Sequence, residues 1–187
     1  MRKVDFRIGR VVHCRNKMDS DYRYTVVAPY GEVTIPGYFE PFFSPKEMLE
    51  LGVFEGRYLN DCIAEYPVEW FTAASLAPDG EPDIRCNCFK VKSRQSLKQW
   101  RENGWLYGPD NRGWFQWYCR YYCGRREPTV DAIQIKRWRA FKRHYAQVTR
   151  NSPANDGVGG VWSRPKQRQA LLQWSYPCFV GGVAASG

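Results

Sequence analysis

The sequence predicts an α+β fold that is mostly α, with a small N-terminal antiparallel sheet followed by a helical body. Two observations support this: apolar side chains recur with a strand-like pattern over residues 1–43, and with helical spacing over 44–176. A third is size, since 187 residues of which 43% are hydrophobic suffice for one domain with a real core. We therefore expect a single domain over 1–187, ending in an apolar and flexible tail at 177–187.

The N-terminal part should contain two or three strands. Residues 6–14 mix β-branched and polar side chains, and residues 22–28 alternate between apolar and polar. Pro29-Tyr30-Gly31 is a turn sequence, and residues 32–38 could supply a third strand after it.

The first helix has a clear start. Ser44 precedes Pro45 and lies three residues before Glu47, the pattern of a capping box with proline in the first turn, and Gly52 should end the helix. A second helix over 62–74 would have to be kinked or interrupted by Pro67. The later helices are predicted at 93–103, 114–122, 131–150 and 165–175, with loops at 77–85, 108–111 and 151–160.

Charge is unevenly distributed along the chain. Residues 1–84 carry 9 basic and 14 acidic side chains, residues 85–168 carry 19 basic and 5 acidic ones, and the remaining residues carry none. A basic surplus of this size usually faces a polyanion, although the acidic half could fold onto the basic half and neutralise part of it. We therefore expect a nucleic-acid partner, most simply double-stranded DNA.

Several protein classes are excluded by composition. No apolar run is long enough to span a bilayer, and the charged first ten residues lack the apolar centre of a secretory signal. Seven cysteines, an odd number, favour free thiols and a cytoplasmic location over a disulfide framework. The chain lacks phosphate-loop, dinucleotide-binding and zinc-deaminase motifs, and its cysteine spacing does not match common zinc modules, so no cofactor is expected.

The densest aromatic feature is the segment 113–126, which reads GWFQWYCRYYCGRR. A helix that is apolar nearly all round is normally buried, so most of these rings are expected in the core. Alternatively, some could form the wall of a pocket for an unpaired base, since stacking holds flipped and single-stranded bases. The candidates for this pocket are Trp114, Gln116, Trp117, Tyr118 and Tyr121.

Basic side chains cluster in and after this segment. Several lie on one side of the predicted 131–150 helix, opposite its apolar face, where they form either a phosphate track or a merely solvated face. The candidate contacts to a nucleic-acid backbone are Arg112, Arg120, Arg125, Arg126, Lys136, Arg139 and Arg143.

Two carboxylates are the main candidates for catalysis. Asp61 could cap the predicted 62–74 helix, or it could activate water or stabilise an oxocarbenium-like sugar while Asn60 binds a base edge or positions water. Asp131 lies three residues before Gln134, which by itself indicates a capping box, but it also borders a basic surface. Weaker candidates are Glu65, Glu69 and Asp110.

Four segments carry a resemblance to known proteins. GRYLNDC at 56–62, GWFQWYCRYY at 113–122, QIKRW at 134–138 and QRQALLQW at 167–174 resemble a small family of basic, Trp- and Tyr-rich proteins of bacteria, fungi and algae. That resemblance implies no particular activity. The chain is also similar to anti-phage DNA glycosylases that excise glucosylated hydroxymethylcytosine. This similarity implies base excision in antiviral defence, but it assigns no role to any residue.

Three functions are compatible with the sequence. The first is a DNA glycosylase that flips a modified or damaged base into an aromatic pocket and hydrolyses its N-glycosidic bond with Asp61 or Asp131. The second is a nucleic-acid-binding protein without catalysis, and the third is a protein whose basic face binds an acidic protein. Salt dependence separates the third from the others, because counterion release from DNA gives a steep log–log slope.

Overall fold

The computed structural model of the chain describes residues 4–19, 21–93, 95–152 and 162–180. It confirms a mostly α fold of the α+β class, with a two-stranded antiparallel sheet before the helices. The strands are β1 (Val11–His13) and β2 (Arg23–Thr25), and the helices are α1 (Pro45–Leu51), α2 (Leu97–Glu102), α3 (Trp114–Tyr122), α4 (Pro128–Asn151) and α5 (Pro165–Gln173). Most of the predicted 151–160 loop lies outside the described residues.

The sheet is shorter than predicted. Val12 pairs with Tyr24 in the antiparallel register, and both side chains are buried while their strand neighbours face solvent. Of the two or three strands predicted, two form, and the optional third over 32–38 is replaced by a single bridge between Ile35 and Phe39. Pro36 has no backbone N–H to donate to a ladder, and Gly37 follows with a φ of +70°, which turns the chain.

Helix α1 forms as predicted. The Ser44 hydroxyl accepts from the Glu47 amide at 3.3 Å, and the Glu47 carboxylate accepts from the Ser44 amide at 2.7 Å. Gly52 then ends the helix with a φ of +100°. A Cβ there would lie 2.1 Å from the carbonyl oxygen of Cys86, so this position requires glycine.

Replacing Ser44 by Ala should destabilise the protein by about 1 kcal/mol, because the Glu47 amide loses its capping acceptor. Ser44→Thr keeps a hydroxyl and should recover most of that loss. Urea unfolding followed by circular dichroism measures both variants. An Ala variant as stable as the wild type would show that the cap contributes nothing to the global fold.

The predicted helix over 62–74 is wrong. The structure has two short 3-10 turns instead, Ile63–Glu65 and Val68–Trp70. Tyr66, which precedes Pro67, is extended with φ −118° and ψ 167°. A proline disfavours the helical conformation of the residue before it, so the helix cannot pass this point.

Helix α3 lies at the centre of the core. Trp117, Tyr118 and Cys119 are almost completely buried, and Phe39 packs against the rings of α3 and α4. The Phe39 ring centroid lies 5.8 Å from Trp117 and 5.0 Å from Trp138. The expectation that most aromatic side chains of this segment belong to the core is therefore confirmed.

A buried network of charges joins α3 to the N-terminal part. Arg120 donates to Glu65 at 2.6 Å, to Asp110 at 3.1 Å and to Asp19 at 3.3 Å. Arg125 forms a second pair with Asp110 at 2.6 Å. Burial alone lowers the pKa of both guanidinium groups, but neighbouring groups that include these carboxylates outweigh it and the pKa is raised. This network fixes three separate chain segments to one helix.

Two other features differ in detail from expectation. Helix α4 begins at Pro128, three residues earlier than predicted, so Asp131 lies inside its first turn and not at the cap. The predicted tail begins at 177, yet Cys178 is fully buried and the Phe179 ring lies 5.7 Å from that of Phe89. Residues 181–187 of this tail lie outside the described residues.

Candidate nucleic-acid interface

A cleft of about 1480 Å³ lies between the 54–61 segment, the 92–105 segment and helices α3, α4 and α5. We call it the aromatic cleft, because its floor is made largely of rings. These rings are Phe54, Tyr58, Trp114, Phe115, Phe141 and Trp174.

The floor contains two groups of packed rings. Trp174, which directly follows α5, lies 5.0 Å from Trp114 of α3 and 5.1 Å from Phe141 of α4, and the Phe141 and Trp174 planes differ by only 14°. On the other side, Phe54 packs 4.4 Å from Tyr58 and 5.1 Å from Phe115. The buried rings Trp114 and Phe115 support the partly exposed rings around them, on which planar groups could stack.

Basic side chains outnumber acidic ones around the cleft. Seven lysine and arginine side chains line it against three carboxylates, an excess of four positive charges. The basic residues are Lys17, Arg57, Lys92, Arg112, Arg137, Arg143 and Lys166, and the acidic ones are Asp61, Asp79 and Glu81. An aromatic floor with a basic rim is the usual arrangement for binding single-stranded or flipped nucleotides.

Asp61 lies on the wall of this cleft and does not cap a helix. Its carboxylate accepts from the Arg112 guanidinium at 2.7 Å and from the Lys17 amide at 3.2 Å, and its side chain is 25% exposed. Partial burial raises the pKa of Asp61, but the hydrogen bond and the charge of Arg112 outweigh burial and the pKa is lowered. Asp61 is therefore an anion that faces the cleft.

Neighbouring side chains position the Asp61–Arg112 pair. The Asn60 side-chain amide donates to the Gly56 carbonyl at 3.2 Å, and its own oxygen is buried without a hydrogen-bond partner among the described residues. Gln116 is fully buried and accepts from the Arg112 amide at 3.0 Å, while the Tyr58 hydroxyl donates to the Arg112 carbonyl. Asn60 lines the cleft, whereas Gln116 does not, so the prediction that Gln116 contacts substrate is wrong.

Of the four α3 rings predicted to form a base pocket, one lines the aromatic cleft. Trp114 lines the aromatic cleft, but Trp117, Tyr118 and Tyr121 do not line it and belong to the core. The Tyr118 hydroxyl donates to the Phe43 carbonyl at 2.8 Å, and the Trp117 indole donates to Asp131 at 2.8 Å. Assigning these three rings to substrate is wrong, because their faces pack against other protein rings.

The assignment of Arg120 and Arg125 to phosphate contacts is also wrong. Both side chains are buried, and their donors are used by the internal carboxylates. Arg126 is half-buried outside the aromatic cleft, where it donates to the Tyr121 carbonyl at 2.7 Å and stacks on the Tyr121 ring at 3.7 Å.

Three predicted carboxylates are likewise used internally. Asp131 is buried and accepts from the Glu127 amide at 2.8 Å, and burial raises its pKa. Glu65 and Asp110 are held in the arginine network. None of the three lines the aromatic cleft, so none can act on a substrate bound there.

The basic stripe of α4 is divided between two surfaces. Arg143 lines the aromatic cleft, whereas Arg139 lies over the Tyr38 ring at 4.1 Å and Lys136 is exposed outside the cleft lining. Sequence reasoning missed Arg137 and Phe141, although their spacing places them on one face of α4.

Sequence reasoning also missed Trp174, and nothing local marks it. Only the packing of α5 beside α4 brings its ring to the floor of the cleft.

Within residues 4–19, 21–93, 95–152 and 162–180, no group of histidine, cysteine and acidic side chains could hold a metal ion, and all seven cysteines are free thiols. In the same part of the chain, no helix combines the length and the apolar character that crossing a bilayer requires.

No family model, curated protein or solved structure matches the chain.

Proposed function

We propose that this protein binds DNA through the aromatic cleft and acts as a glycosylase, which hydrolyses the N-glycosidic bond of a modified or damaged base. The observation that carries the proposal is the anionic Asp61 on the wall of a cleft with an aromatic floor and a basic rim. A base-excision enzyme needs these three elements: a surface for stacking, cations for the backbone and a carboxylate near the sugar.

The binding step follows from the lining. An unpaired base that enters the cleft meets partly exposed rings such as Phe54 and Trp174, and stacking on such rings contributes about 1–3 kcal/mol for each base. Cations on the rim, such as Arg143 and Lys166, lie where they can neutralise phosphates. A paired base cannot reach the floor, so the target must leave the duplex first.

The chemical step needs one ionised carboxylate and one water. The bond between the base nitrogen and the anomeric carbon breaks, and the bonding electrons leave with the base. A water oxygen bonds to the anomeric carbon, and the proton that this water loses is balanced by the proton that the departing base takes up. Asp61 stabilises the positive charge that develops on the sugar. Arg112 keeps Asp61 ionised, because its hydrogen bond and its charge lower the pKa of that carboxyl.

One observation favours a non-catalytic alternative. A single oxygen of Asp61 accepts from both Arg112 and the Lys17 amide, which is also what a carboxylate with a purely structural role would do. In that case the aromatic cleft binds unpaired nucleic acid without cleaving it.

A cleavage assay on defined duplexes tests the proposal. Purified protein is incubated with duplexes that contain normal bases, uracil, hydroxymethylcytosine or its glucosylated form, and each product is treated with alkali. Alkali-labile breaks on one modified duplex are the expected result, because base loss leaves an alkali-sensitive sugar. A shifted but intact band on every duplex would support the non-catalytic alternative. Absence of any shift at low salt would refute nucleic-acid binding.

A further inference from the structure

Arg137 of α4 occupies an unusual position in the aromatic cleft. Its guanidinium carbon lies 5.4 Å from the ring centroids of Trp100 and Tyr107 and 5.5 Å from that of Trp174. Three aromatic rings therefore surround a single cation. The side chain is half-buried and lines the cleft.

No carboxylate balances this charge within the described part of the chain. The hydrogen bonds of Arg137 go to two neutral acceptors, the Trp105 carbonyl and the Gln134 side-chain oxygen, and both come from one nitrogen, Nη1. Burial lowers the pKa of Arg137, which shows that its charged form is poorly solvated. By contrast, the other half-buried arginine of the cleft, Arg112, is already paired with Asp61.

A half-buried guanidinium without an anion is ready to accept one. Its remaining donors, Nε and Nη2, have the fork geometry that binds two oxygens of a phosphate. Beside it, Trp100 and Trp105 form a pair of rings apart from the packed group of Trp114, Trp174 and Phe141. Trp105, whose ring lies 5.9 Å from that of Trp100, is 37% exposed, so this second aromatic surface is accessible to a ligand.

We propose that Arg137, Trp100 and Trp174 form a phosphate subsite that is separate from the Asp61–Arg112 pair, so that the cleft selects an unpaired strand over intact duplex and over single nucleotides. This inference rests on the proposed function, because it assigns a partner to the same cleft. The volume agrees with it, since about 1480 Å³ exceeds the roughly 300–1,000 Å³ that one small ligand occupies. One nucleotide would lie at the Asp61–Arg112 pair, and the phosphate of a neighbouring nucleotide would lie at Arg137.

Equilibrium binding of labelled oligonucleotides tests the subsite. The probes are an oligothymidylate of about six nucleotides, a perfectly paired duplex of the same length and thymidine monophosphate. Fluorescence anisotropy over a series of salt concentrations should give tightest binding for the oligothymidylate. Arg137→Gln should weaken that binding about tenfold and reduce the log–log salt slope by about 0.7, the value for one lost phosphate contact on a single strand.

Two further variants make the result specific. Lys142→Gln removes one charge from an exposed position of α4 outside the cleft lining, and it should leave the affinity nearly unchanged. Arg137→Lys keeps the charge but loses the fork, so it should retain the salt slope while it weakens binding. Circular dichroism confirms that each variant is folded before it is compared.

The outcomes separate this inference from the proposed function. Wild-type protein that binds neither the oligothymidylate nor the duplex would refute both. Tighter binding to the duplex than to the single strand would overturn the subsite while nucleic-acid binding stands. Equal affinity and equal salt slope for Arg137→Gln and the wild type would also overturn it.

Discussion

Asp61→Asn should reduce the rate of base release by about 100-fold or more while binding of the modified duplex is retained. The amide keeps the size of the side chain and one oxygen that can accept from Arg112 and the Lys17 amide, so the cleft should keep its shape. It has no negative charge, however, and cannot stabilise an oxocarbenium-like sugar. Single-turnover excision and an electrophoretic binding assay measure the two effects separately.

A matched control is available in the same chain. Asp83 forms an ion pair with Arg85 at 2.7 Å, the same separation as in the Asp61–Arg112 pair, but it does not line the aromatic cleft. Asp83→Asn should therefore leave excision unchanged. If Asp61→Asn excises the base as fast as the wild type, Asp61 has no catalytic role. The wild-type rate should also show no loss from Asp61 protonation at mildly acidic pH, because the lowered pKa keeps this carboxylate ionised.

Local sequence signals predicted the parts of the fold that are decided locally. The capping box at Ser44 and the glycine at 52 set both ends of α1 through contacts within the helix or its termini. The helix predicted over 62–74 fails for an equally local reason, since Pro67 disfavours helix at Tyr66.

The candidate site depends on tertiary packing, and the periodicity of apolar residues in the sequence does not specify that packing. An apolar pattern all round α3 does not tell which rings line a cleft, and of its aromatic side chains only Trp114 and Phe115 do so. The charge of Arg120 looked like part of a basic surface, because its partners Asp19 and Glu65 are distant in sequence. Arg125 is likewise neutralised inside the core, by Asp110. The surplus of basic residues counted from the sequence therefore overestimates the positive charge that a polyanion can reach, because part of that charge is neutralised inside the core.

Arg120→Met should lower the free energy of unfolding by about 3–5 kcal/mol, the usual cost of removing one partner from a buried ionic network. Methionine fills most of the space of arginine, so a cavity contributes little to this loss. The cost arises because Glu65 and Asp19 are left buried without their cation, while Asp110 keeps only Arg125. Denaturant unfolding of the variant and the wild type measures this loss in the free energy of unfolding. Arg85→Met, which breaks an exposed pair, should leave the midpoint unchanged.

The pH dependence of this loss identifies its cause. Burial raises the pKa of Asp110, and the charges of Arg125 and Arg120 oppose that rise. Without Arg120 the pKa of Asp110 should rise further above its value in the unfolded chain, so the folded variant binds more protons than the unfolded one at mildly acidic pH. A carboxyl whose pKa is higher in the folded state than in the unfolded state favours folding at a pH below its unfolded-state pKa. This contribution is lost as the pH rises through its folded-state pKa. The gap between Arg120→Met and the wild type should therefore narrow from pH 7 to pH 5. A gap that stays constant would show that Arg120 stabilises the fold by packing, as through the Tyr22 ring 4.7 Å away, and not by its charge.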